Sequence, residues 1–474
     1  MHSSGTRKSA ERLICAAGEV AGFARRAASP LNRRRWRRPV QQRSHQRAAS
    51  VSEARRYPAG LFVLCGAEAC AGFALYVLGS LLVLYLTEVA GQEQATALGW
   101  LGVFNAVCFV MPLAGGWLAD RWLGFRWAVI IGAGLLSAGF VMLALVPTKP
   151  LSGLTLLLGG SGLFRSNLVA MVGRLFASGE AGRERAFRLL YAAFNVGAVL
   201  APPIASILIR AQRWSLAFLL GSGATAMALV ILGTGHQRLA RVDQRDDEQR
   251  DSPNAPDQPV GKSPRWLAIG AVAQVALLWT VAYGQADGTL LLWARDHTRR
   301  SLLGFDVPAS IFASVPPLLV LLLTPLSGFA GRSRIKGSAL AQLLLGLGCT
   351  SLGFLLMLGA ARDSAMPASP VWLLGCLGLL TVGELVVAPL TQSLISGLAP
   401  RRSAGLSSAL WYGATAAGFW LAGQLGGLWR SCPPATFFGL LAVVPLLAGV
   451  LLLVQRSYWA LIQKSAAPAE RPLA

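Results

Sequence analysis

Apolar residues fill this chain in long blocks rather than in stripes. About twelve stretches, each long enough to cross a bilayer, follow one another between Gly60 and Val454. They fall near 60–88, 94–118, 127–147, 152–173, 186–209, 214–235, 265–292, 308–330, 338–360, 370–397, 404–427 and 435–455. Most are apolar around the whole circumference, as buried or lipid-facing helices are, and unlike the one-sided helices of a soluble core. The runs are continuous over about 20 residues rather than alternating over about 10, which excludes a β-barrel. The expected fold is an all-α membrane protein of about twelve transmembrane helices in two six-helix halves.

One break differs in kind. Residues 236–264 are charged and contain prolines, and they hold no aromatic residue. They read as a soluble linker between two bundles, 59–235 and 265–456. Residues 1–58 carry the run Arg33, Arg34, Arg35, Arg37, Arg38 and read as a basic, disordered, lipid-touching tail; 457–474 form a second tail. The formal charge of +22 does not point to nucleic acid, because the arginines crowd into the tail and the short turns, where they set topology. With the first tail inside, one set of turns holds Arg121, Arg126, Arg174, Arg183, Arg334 and Arg401, and the opposite turns hold fewer. Both termini are therefore expected in the cytoplasm, in a multi-pass protein of the inner (plasma) membrane. It should work as a monomer embedded in the lipid bilayer. An even number of spans divided by a central linker is the layout of a two-lobed transporter.

Chemistry must come from the few polar groups inside lipid, each costing about 2.5–3.5 kcal/mol at a helix centre. Glu68, Arg165, Asp287 and Glu384 stand in four different spans. One cation and three acids invite pairing across a shared aqueous cavity, with Glu68, Asp287 and Glu384 as proton-coupling candidates. Tyr76, Asn195, Gln285 and Trp411 supply hydrogen-bonding groups and aromatic walls for a small polar solute. The four histidines fall outside the spans, no cysteines show metal or redox spacing, and no nucleophile–base pair converges. No cofactor, metal or enzymatic activity is expected. In GGWLADRWLGFRW, the pair Gly115 and Gly116 permits a close helix crossing, and Asp120, Arg121 and Arg126 can form a charge network that switches with conformation.

That stretch resembles the cytoplasmic-loop signature of the major facilitator superfamily. GSGLFRSNLVAMVGRLF with AFRLLYAAFNVGAVLAP resembles the fourth and fifth spans of the proton-dependent oligopeptide transporter (POT) family, and GELVVAPLTQSLISGLAP with SSALWYGATAAGFWLAG resembles its tenth and eleventh. The resemblance covers nearly the whole membrane region. It implies import of di- and tripeptides with protons by alternating access. Glu384 would hold the peptide amino terminus, Arg165 would stand where the family has Lys and face the carboxylate, and Asn195 and Trp411 fall on family positions.

The departures are as informative. The family's first span reads E-x-x-E-R-F-x-Y-Y, with an Arg a few residues on. Here Glu68, Phe73 and Tyr76 remain, but Ala71 and Gly72 replace Glu-Arg, Leu75 replaces Tyr, and Gly79 replaces the later Arg. Phe109 replaces the second-span Tyr, and Gln285 replaces the seventh-span acid, with Asp287 two residues on. In a continuous helix those two residues amount to about 200° of rotation, so Asp287 should not stand in for the lost acid. Arg165 stays charged at any accessible pH. A divergent member is expected: a transporter of peptides or a related small zwitterion, or alternatively an uncoupled facilitator or a ligand sensor.

Overall fold

The computed structural model describes residues 57–176, 181–239, 264–302, 305–330, 338–362, 367–398 and 404–455. The expected linker and both expected tails lie almost wholly outside the described residues. In the first half the helices are α1 (Ala59–Glu88), α2 (Gln94–Leu118), α3 (Phe125–Leu145), α4 (Pro150–Leu175), α5 (Ala181–Arg210) and α6 (Trp214–Thr234). In the second half they are α7 (Pro264–Tyr283), α8 (Thr289–Asp296), α9 (Val315–Ala330), α10 (Ala339–Arg362), α11 (Pro370–Leu398), α12 (Ala404–Gly426) and α13 (Pro434–Val454). A two-rung hairpin, β1 (Ser301–Leu302) and β2 (Phe305–Asp306), and a 3-10 segment Ala309–Ser314 link α8 to α9. Counting α7 with α8 as one crossing gives twelve among the described residues.

The helix boundaries follow local chemistry. Helices α4 and α13 open on Pro150 and Pro434, where the missing N–H has no partner to lose. After a π turn at Ala119–Leu123, Gly124 reverses the chain with φ 71°, a backbone that side chains other than hydrogen avoid. Within the first half, small residues set helix separation. A methyl on Gly132 of α3 would meet the backbone of Phe164, and one on Gly160 of α4 would meet that of Leu136. Without water to drive helices together in lipid, such close backbone approach supplies much of the attraction.

The seventh span is where the structure departs from its expected form. It is not one helix over 265–292: α7 ends at Tyr283, a turn occupies Gly284–Gly288, and α8 resumes at Thr289. Gly284 sits against Ala422 and Phe419 of α12, and Gly288 against Leu98 and Leu101 of α2, so both glycines are packed where side chains would collide or crowd. The rotation expected between Gln285 and Asp287 assumed an intact helix, and the break removes that basis. Discontinuous helices of this kind are tolerated at membrane depth where they face protein or a cavity.

Helices α1–α6 pack among themselves, as do α7–α13, and the two groups meet along α2 with α12 and along α5 with the 3-10 segment and α9. Gly102 and Gly423 bring the α2 and α12 backbones into contact. At the end where α1 and α5 finish, polar bonds join the halves. Ser314 donates to the Val199 carbonyl at 2.9 Å, Arg210 donates to the Asp306 carbonyl at 2.8 Å, and Arg295 pairs with Glu88 at 3.2 Å. Among the described residues no comparable seam joins α4 to α11 toward the opposite end.

Candidate functional site

On the first half, Arg165 projects from α4 and Glu68 from α1. The Arg165 Nε lies 3.9 Å from Glu68 Oε1, and the guanidinium carbon lies 4.5 Å above the Phe194 ring of α5. The Arg165 side chain is 47% exposed, whereas Glu68 is buried. This asymmetry makes one side chain available to a solute and the other its fixed counter-ion. The second oxygen, Glu68 Oε2, is buried without a hydrogen-bond partner. Phe194 carried no sequence signal, because a phenylalanine in an apolar span reads as packing until a cation is seen above it.

On the second half, Glu384 of α11 takes a hydrogen bond from the Tyr283 hydroxyl at the end of α7. Asp287, on the turn between α7 and α8, is close enough to Glu384 to repel it. Tyr76 of α1 interacts electrostatically with Arg165, Asp287, Glu384 and Tyr191, and Tyr191 of α5 with both Arg165 and Glu384. Two tyrosines from the first half thus stand within electrostatic reach of both Arg165 and Glu384. Tyr76 is also set edge-on to Phe194, with ring centres 5.9 Å apart.

Arg165 therefore meets Glu68 directly, while no ion pair joins it to Glu384. The second half supplies no cation to Glu384 or Asp287 among the described residues. Asn195 is buried, donates to the Tyr191 carbonyl at 2.8 Å and bonds the Tyr191 hydroxyl, so it acts by placing Tyr191. The Trp411 ring nitrogen donates to Thr391 at 3.1 Å, and its ring lies 5.1 Å from Tyr412 and 6.3 Å from Phe109.

Gln285 is the expected solute contact for which the geometry gives another role. It is 1% exposed, donates to the Ala422 carbonyl at 2.9 Å, and accepts from Thr289 at 2.9 Å. All of its groups are engaged in tying the broken span to α12. The loop's glycine pair makes the expected close crossing through one of its two members. The close crossing belongs to Gly115, where a methyl would collide with the Gly162 carbonyl, while Gly116 has open space. Asp120 and Arg121 are exposed, and among the described residues no ion pair joins these two.

The lost first-span motif has a steric account. At Gly72, where the family has Arg, any Cβ would collide with the Phe194 carbonyl, and at Gly197 it would collide with the Ala69 carbonyl. Helices α1 and α5 cross backbone to backbone there. No side chain of any length fits at position 72 without separating them. Gly79, by contrast, has nothing within 4 Å of a built Cβ.

The profile of the Major Facilitator Superfamily matches residues 64–423. The peptide transporter YePEPT of Yersinia enterocolitica is 28% identical over 455 residues, covering 78% of this chain and 87% of its own. A di-/tripeptide transporter of Lactococcus lactis is 21% identical and covers 84% of this chain and 95% of its own. Among solved structures, a POT family transporter in complex with 5-aminolevulinic acid superposes with a TM-score of 0.77 at 20% identity, over 86% of this chain and 97% of that one. The peptide transporter POT in complex with sulfate gives 0.77 at 22% identity, over 85% and 96%. The chain belongs to the major facilitator superfamily.

Proposed function

We propose that this protein is a secondary transporter that imports di- and tripeptides, or a related small zwitterion, by alternating access. The observation that carries the reading is the pair of opposite poles. An exposed guanidinium on one half and a carboxylate on the other both lie within electrostatic reach of Tyr76 and Tyr191. A zwitterion carries complementary charges at its two ends, and each pole would bind one of them. The relatives that transport peptides or bind peptide-like ligands support the same solute class.

The halves are joined at the end where α1 and α5 finish, and we assign the other end, where α4 and α11 part, to the cytoplasm. Both termini then lie inside, in keeping with the arginine-bearing turns on that side. In this reading the conformation is inward-facing, and the loop charges at Asp120 and Arg121 would engage in the opposite state. Glu68, Asp287 and Glu384 are the groups available to carry a proton.

A second reading is favoured by the α1–α5 crossing. The space at Gly72 that the family gives to an Arg is closed, so the inherited first-span proton relay has no room to exist here. An uncoupled facilitator, or a sensor with a transporter's fold, follows from that. Uptake of labelled dipeptide into proteoliposomes, with and without an inward proton gradient, separates the readings. Accumulation above equilibrium with the gradient supports coupled import. Gradient-independent equilibration supports the facilitator. Saturable binding without flux supports the sensor, and the absence of both binding and flux removes the peptide reading.

A further inference from the structure

A cavity of about 180 Å³ lies at the end of the bundle where α1 and α5 finish. One water needs about 10–15 Å³ by this measure, so the space takes on the order of ten waters or one small solute. Both halves line it. Glu88 of α1, Arg210 of α5 and Trp214 of α6 stand on the first-half side, and Arg295 of α8, Arg300 and Asp306 of β2 on the second-half side.

Its arginines are unequally satisfied. Arg295 is fully engaged: it holds both carboxylate oxygens of Asp296, at 2.7 and 3.1 Å, and one of Glu88 at 3.2 Å. Arg210 is exposed and donates to an uncharged partner, the Asp306 carbonyl at 2.8 Å; among the described residues it enters no ion pair. Arg300 donates to the Val307 carbonyl at 3.1 Å and lies 3.9 Å from the Asp306 carboxylate, too far for a hydrogen bond. A guanidinium has five N–H donors, so both keep several unused. The two flank Asp306 from opposite halves, and the Asp306 carboxylate, with its side chain 63% exposed, is the single anion beside them. Two guanidinium forks with spare donors, set at a cavity with room for a solute, match the oxygens of a phosphate or a carboxylate.

We propose that this cavity binds a small oxyanion between Arg210 of the first half and Arg300 of the second. The bound anion adds a bridge to the seam already made there by Ser314, Arg210 and Arg295, and so favours the conformation in which this end is closed. The bridging role rests on the alternating access proposed above; the binding does not.

The test uses the purified full-length protein in detergent, without added lipid and at low ionic strength, and titrates inorganic phosphate and, separately, acetate. Phosphate is expected to bind saturably. Arg210→Gln and Arg300→Gln should each weaken it about fivefold or more. Asp306→Asn should tighten it about threefold, because it removes the repelling carboxylate and keeps the backbone carbonyl that holds Arg210. A general loss of folding cannot produce that gain. Arg299→Gln makes the same charge change one residue away, outside the cavity lining, and should leave the affinity unchanged. Equal affinity in all four variants, or no saturable binding of either anion, overturns the proposal. Tighter binding of phosphate supports a tetrahedral dianion as the ligand, and equal binding of acetate through the same two arginines supports a carboxylate. Distances between spin labels, one on each half at this end, should move toward the closed population as phosphate is added, and should not move in Arg210→Gln. Binding without that movement overturns the bridging role. Phosphate binding without any dipeptide binding or flux leaves this site standing and removes the peptide reading; dipeptide transport without phosphate binding does the reverse.

Discussion

The α1–α5 crossing makes the sharpest demand on the sequence. Gly72→Ala adds one methyl at a point where the neighbouring atoms are the carbonyl oxygen, carbonyl carbon and Cα of Phe194. All three belong to a helix backbone, so no side chain can rotate away. Relief requires moving α5 as a body, and α5 is itself held by Gly197 against Ala69 and Phe73. Overpacking a well-packed interior costs about 1–3 kcal/mol, and a contact with two rigid backbones belongs at the upper end. Gly79→Ala is the internal control: same helix, same chemistry, open space, and an expected change within about 0.5 kcal/mol. Both variants would be purified in one detergent and their unfolding followed by intrinsic tryptophan fluorescence against denaturant. Gly72→Ala should lose about 2–3 kcal/mol, with surface expression reduced accordingly. Gly72→Arg should not yield folded protein, whereas Gly79→Arg should. Equal stability of Gly72→Ala and Gly79→Ala would refute the steric account of the missing motif.

Three further outcomes follow from the site. Glu384→Gln removes the acceptor charge of the second-half pole, so dipeptide affinity should drop about tenfold or more while insertion and folding persist; unchanged affinity and unchanged pH dependence would remove Glu384 from the mechanism. Arg165→Lys keeps a cation beside Glu68 but loses the planar stacking on Phe194, so binding should persist with a loss of about 0.5–1 kcal/mol, and identical transport at every pH would show that a permanent cation is immaterial. Glu88 and Arg295 join the halves through partly exposed side chains, so a Glu88→Gln, Arg295→Gln double-mutant cycle should return a coupling of only about 0.2–1 kcal/mol, read as a shift in the inward-facing population by distance measurements between spin labels. A coupling near zero would show that the pair does not hold this end closed.

Much of the site could be named from the chain, though not how its members pair. Glu68, Arg165, Asp287 and Glu384 are conspicuous because charge inside an apolar block is rare and expensive. That Arg165 answers to Glu68, three helices earlier in the chain, depends on how α1 and α4 are rotated against each other. Gln285 looked like a solute contact because a polar side chain in a span demands a partner. Its partners prove to be Thr289 and the Ala422 carbonyl, which no local pattern could assign. Gly115 and Gly116 are interchangeable in the sequence, and only the position of Gly162 distinguishes them.

The chain by itself determined the number, length and approximate ends of the membrane helices. Each must satisfy its own backbone hydrogen bonds in hydrocarbon, so span formation is a local property of about 20 consecutive residues. The break at Gly284–Gly288, the crossing that forbids a side chain at Gly72, and the two unmatched acids were decided by tertiary structure alone. They arise from the rotation, depth and closeness of helices remote in sequence, where a single carbonyl oxygen from a neighbouring helix settles what a position can hold.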